Sequence, residues 1–93
     1  MKRYQANGCF VLREIAGEAV LVPVGDAGSL ANSMISLNAT ALFLWKLLEQ
    51  PRTVDDLIQK AKQAYADPEG KLEEDIRRLT LEYVKIGLFM EVE

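Results

Sequence analysis

The 93-residue chain contains no histidine and a single cysteine, Cys9. Without histidine there is no Ser–His or Cys–His pair to activate a nucleophile within the chain. A self-contained structural zinc site needs about four Cys or His ligands, so that too is excluded. One cysteine builds no disulfide framework, which agrees with a reducing, cytoplasmic setting. Acids outnumber bases by 14 to 11, leaving a net charge of −3. Nucleic-acid binders present a basic face, so no nucleic-acid partner is expected. No apolar run approaches the roughly 20 residues of a membrane span, and no membrane partner is expected either. Arg13 and Glu14 interrupt the apolar stretch nearest the N-terminus, which does not read as a signal peptide. Gly25-x-x-Gly28 lacks the Gly-Lys-Ser/Thr ending of a phosphate loop. The expectation is a small protein with no catalytic group, no cofactor and no metal.

What is present is an ordinary globular composition, 49% apolar and 27% charged. The length suits one domain with one small core. Residues 1–8 read as a flexible N-terminus and residues 9–93 as that domain. Cys9 to Ile15 and Glu18 to Val24 are rich in β-branched residues, and Val20, Val22 and Val24 alternate. The two-residue Ala16-Gly17 link predicts a tight hairpin in which Ile15 faces Glu18, Arg13 faces Val20 and Val11 faces Val22. Pro23 lacks a ladder donor and belongs at an edge position or near a strand end. Residues 25–32 form a loop by composition, and Met34-Ile35-Ser36-Leu37 reads as a short third strand.

Three helices follow. Asn38 is a strong N-cap, with Leu37 and Leu42 at hydrophobic-staple spacing. The helix from Ala39 to about Glu49 is apolar nearly all round, which predicts a central, buried element ended by Pro51. Thr53 caps a second, amphipathic helix with the stripe Val54, Leu57, Ile58, Ala61 and Tyr65. Asp67-Pro68-Glu69-Gly70 reads as a turn. The third helix starts near Lys71 or Leu72 and stops at Gly87, with a core stripe of Leu72, Ile76, Leu79, Tyr83 and Ile86. Leu81 and Val84 lie outside the stripe with Thr80 between them, and Leu88 to Val92 is a short extended tail. The fold class is α+β: a three-stranded antiparallel sheet followed by three helices, packed on one face in winged-helix style.

Few residues invite a chemical reading. Cys9 sits on a predicted strand and reads as an inert thiol, since reactivity needs a depressed pKa. Trp45 reads as core. Asp55-Asp56 and Glu73-Glu74-Asp75 fall in helix first turns, where the dipole explains them. The third strand is more informative. It carries no charge, proline or bulge to protect an edge. Beside an apolar helix it is suited to accept an added peptide strand, unless the preceding loop or the C-terminal tail covers it.

The run from Phe10 to Pro23, then Ile35-Ser-Leu-Asn-Ala-Thr-Ala-Leu-Phe-Leu-Trp45, Thr53-Val-Asp-Asp-Leu and Gly87-Leu-Phe, resembles the PqqD family over residues 9–92. These are small peptide-binding proteins, also called recognition elements of ribosomally made, post-translationally modified peptides. The resemblance implies a winged-helix-like domain that takes the leader of a precursor peptide as a strand beside its third strand. It implies delivery of that peptide to a modifying enzyme, of radical S-adenosylmethionine type. Carried over to this chain, the strand contacts are Ser33, Met34, Ile35 and Ser36, and the helix wall is Asp75, Arg78, Leu79, Glu82, Tyr83 and Ile86. Arg78 is suited to hold an acidic leader residue. The Pro23–Asn32 connection departs from the quinone-pathway members, so the resemblance is to the broader family. Two further readings belong to other classes. One is a winged-helix DNA-binding regulator, which the acids of the third helix oppose. The other is a structural subunit or homodimer joined through the open strand edge.

Overall fold

The computed structural model describes residues 2–24, 35–66 and 69–92. The loop expected over residues 25–32, the strand positions Ser33 and Met34, and Asp67-Pro68 of the expected turn lie outside them. In chain order the elements are β1 (Arg3–Ala6), β2 (Phe10–Ile15), β3 (Glu18–Pro23), β4 (Ile35–Leu37), α1 (Ala39–Leu47), α2 (Val54–Ala64), α3 (Leu72–Lys85) and β5 (Phe89–Val92).

β2, β3 and β4 form an antiparallel sheet in that order, and three helices follow it, as expected for the α+β class. The hairpin register matches the sequence reading: Ile15 faces Glu18, Arg13 faces Val20 and Val11 faces Val22. Pro23 is the last residue of β3. Ala16 and Gly17 both take positive φ, +52° and +82°, so the link is a primed turn matched to strand twist. One face of the sheet, carrying Phe10, Leu12, Ala19, Leu21, Ile35 and Leu37, packs against the helices.

α1 is the hub. Ala41, Leu44 and Trp45 along it, and Leu48 at its C-cap, are buried, and Leu42, Phe43 and Leu47 are half-buried. The Asn38 side chain accepts from the Ala41 N–H at 2.8 Å, and Thr53 caps α2 by accepting from the Asp56 N–H at 3.1 Å. Arg52 ties the two helices. Its Nε donates to the Leu47 carbonyl at 2.9 Å and its Nη1 to Asp56 at 2.8 Å. α3 ends in a Schellman arrangement: Gly87 takes φ +84°, Leu88 N–H donates to the Tyr83 carbonyl and Gly87 N–H to that of Val84.

Three features differ from the sequence reading. Residues 3–6, within the stretch expected to be a flexible N-terminus, form β1 and pair antiparallel with β5 in a second, two-stranded sheet. The far side of β1 is tied as well: Tyr4 exchanges backbone bonds with Arg52, and Ala6 N–H donates to the Leu48 carbonyl. On α3, Ile86 is not a core residue. It is the C-cap and 64% exposed, because the helix ends before its face turns inward. Thr80 takes a buried place instead, 1% exposed, with its hydroxyl donating to the Ile76 carbonyl at 2.8 Å. Finally, Cys9 lies in the turn before β2 rather than on a strand, and is exposed. Among the described residues no helix is long and apolar enough to cross a membrane.

Candidate functional site

The alternation of β4 decides what it presents. Ile35 and Leu37 turn onto the core, while Ser36, opposite Val20, is exposed. β3 occupies one side of β4, and no described strand occupies the other. Val24 N–H donates to the Cys9 carbonyl across β2–β3, so by alternation Ala19 and Leu21 turn their main-chain groups to Leu37 and Ile35. Ser36 therefore directs its N–H and C=O to the outer edge. The C-terminal tail does not cover it, because that tail is β5 and pairs with β1.

Two adjoining depressions run from this edge to α3. The first, of about 650 Å³, lies between the hairpin tip (Glu18, Ala19), the end of β4 (Ser36, Leu37), the start of α1 and Tyr83. The second, of about 400 Å³, is walled by Asp75, Arg78, Leu79 and Glu82 of α3 and by Thr40 of α1. Asn38 lines both and joins them into one groove. Its floor is firm because the Tyr83 ring packs at a tilt, centroids 5.0 Å apart, against Phe89, itself 1% exposed, and Phe89 lies 6.2 Å from Trp45.

The electrostatics are uneven. Arg78 donates to Asp75 at 3.0 Å, so the guanidinium suited to an acidic leader residue already has a partner on its own helix. The Tyr83 phenol is held above its ordinary pKa, first by burial and then by the nearby Glu82 charge. Among the helix-start acids, Asp55 and Glu73 both accept from Arg77 at 3.1 Å, and Asp56 from Arg52. Among the described residues no group of His, Cys, Asp and Glu is placed to hold a metal ion.

Of the residues named from the sequence, Ser36, Asp75, Arg78, Leu79, Glu82 and Tyr83 line this groove. Ile35 lies on the same strand with its side chain toward the core. Ile86 lines neither depression. Ser33 and Met34 lie outside the described residues. Glu18, Asn38, Thr40 and Leu42 were not anticipated as groove residues. The signal for Glu18 is the pairing of Ala19 with Leu37, which sets the hairpin tip beside the end of β4.

A family model described as Coenzyme PQQ synthesis protein D (PqqD) matches residues 9–88, which include the hairpin, β4 and all three described helices. No curated protein matches the chain. No solved structure matches it.

Proposed function

Since the chain belongs to the PqqD family, we propose that it is a non-catalytic adaptor that binds the leader of a precursor peptide and presents it to a modifying enzyme. Membership implies a peptide partner in the biosynthesis of the quinone or of other ribosomally made, modified peptides. The finer reading is strand addition. The leader pairs along the third strand named from the sequence, of whose contact positions β4 holds Ile35 and Ser36, and its side chains enter the groove against Asp75, Arg78, Leu79, Glu82 and Tyr83. The enzyme it serves is of radical S-adenosylmethionine type. The observation that carries this reading is the outer edge of β4, free of any described strand and continuous with a groove whose wall is α3. Main-chain bonds along such an edge supply affinity, and pockets for alternate side chains supply selectivity. The DNA-binding alternative gains nothing from α3: it carries four acids, and both its arginines are paired with carboxylates.

The test is an amide-resolved NMR titration with leader peptides from open reading frames neighbouring the gene. Shifts are expected at residues 35–37 and 75–83. Ser36→Pro removes the N–H that β4 directs outward and is expected to weaken binding at least about fivefold, the value of one hydrogen bond. Leu79→Asp, tested in parallel, removes apolar wall instead. Leader peptides that leave these amides unmoved, or bind both folded variants unchanged, would remove the adaptor reading.

A further inference from the structure

The groove is acidic, and this bears on what enters it. The charged groups lining its two depressions are Glu18, Asp75, Arg78 and Glu82. Arg78 and Asp75 neutralise one another at 3.0 Å. Glu18 and Glu82 have no cation within ion-pair distance among the described residues. Lys85, one turn beyond Glu82, lines neither depression. Residues 25–34 contain Asp26 and neither lysine nor arginine, so no basic side chain is available from that stretch. The rest of the lining includes Leu37, Leu42 and Leu79.

We infer that the peptide taken by this groove carries lysine or arginine where it passes Glu18 or Glu82, set among aliphatic residues that cover the apolar lining. The inference rests on the adaptor reading above and specifies its client. An added strand directs alternate residues to the same face, so the basic residue and its aliphatic neighbours recur at a spacing of two. A carboxylate in the peptide at that position meets like charge, which rejects acidic leaders. The raised phenol of Tyr83 is a second trace of the same negative field, since the Glu82 charge contributes to it.

The experiment is selection from a phage-displayed library of random linear peptides, with the full chain and with the double variant Glu18→Lys, Glu82→Lys as baits. Both positions are exposed, so the variant is expected to keep its fold, checked by circular dichroism. The wild-type pool is expected to gain Lys or Arg at one position between aliphatics, and the variant pool to gain Asp or Glu there. A synthetic peptide from the wild-type pool should lose roughly two- to fivefold in affinity for each carboxylate reversed, and should weaken as salt rises. A pool with no basic preference, or with one unmoved by charge reversal, overturns the inference. If that pool still loses binding to Ser36→Pro, strand addition survives. If neither bait enriches any peptide, the adaptor reading falls and this inference with it.

Discussion

Ala16 holds a conformation that L-residues avoid. Its φ of +52° places it in the left-handed region, and with Gly17 at +82° it completes a turn type that favours Asn-Gly. Asparagine tolerates this region because its short amide bonds locally to the backbone. Ala16→Asn is therefore expected to stabilise the fold by about 0.5–1 kcal/mol, read as a higher urea midpoint with unchanged slope. A lower midpoint would mean that the positive φ at Ala16 carries no strain. Asn38 shows the opposite economy, one side chain with two jobs. It caps α1 through the Ala41 N–H and also joins the two halves of the groove.

Among the elements, α3 carries the largest share of the candidate site, and its ending matters as much as its face. The Schellman turn at Gly87 stops the helix, and Leu88 and Phe89 then enter the core, both 1% exposed. Phe89 supports Tyr83 from behind, so the turn positions a groove residue through one contact. A Cβ at Gly87 would meet nothing within 4 Å, so Gly87→Ala costs only the left-handed conformation. The expected loss is about 1–2 kcal/mol in chemical denaturation, with the groove wall retained. A loss no larger than experimental error would show that the turn relaxes to another conformation without penalty. The same element explains a misread residue. Thr80 interrupts the apolar periodicity but satisfies its hydroxyl on Ile76, so it is buried at little cost. Ile86 continues the periodicity into the cap, where the helix has ended.

At the scale of the whole molecule, the second sheet has a distinct standing. β1 and β5 both lie outside residues 9–88, the span matched by the family model. Yet β1 is bound on both sides, to β5 and to the α1–α2 connection. Asn7 adds its side-chain amide, donating to the Gly87 carbonyl at 2.7 Å, and its backbone N–H, donating to Leu88. Removing residues 1–6 discards three backbone bonds to Arg52 and Leu48 besides the β5 pairing. It is expected to cost at least about 3 kcal/mol at roughly 1 kcal/mol per bond, seen as a lower thermal midpoint. A truncated chain that melts with the full one would show that β1 is held only marginally.

The sequence by itself determined the hairpin register, the caps at Asn38 and Thr53, the buried α1 and the stop at Gly87. Each depends on near neighbours: a two-residue turn, a side-chain oxygen beside free amides, or a repeat within a few turns. It also marked the third strand as an edge without charge, proline or bulge, and the family resemblance named the α3 residues Asp75, Arg78, Leu79, Glu82 and Tyr83 that line the groove. Only the tertiary structure paired residues 3–6 with 89–92, because that ladder joins opposite ends of the chain and polar, unpatterned Arg3-Tyr4-Gln5-Ala6 gives no local sign of it. That pairing also decided that the tail covers β1 rather than the edge of β4. Only the packing of the hairpin tip against β4 brought Glu18 to the groove that Glu82 also lines, which turned a wall expected to hold an acidic residue into an acidic groove. Local propensity writes the elements; which charges share a groove depends on contacts between residues dozens of positions apart.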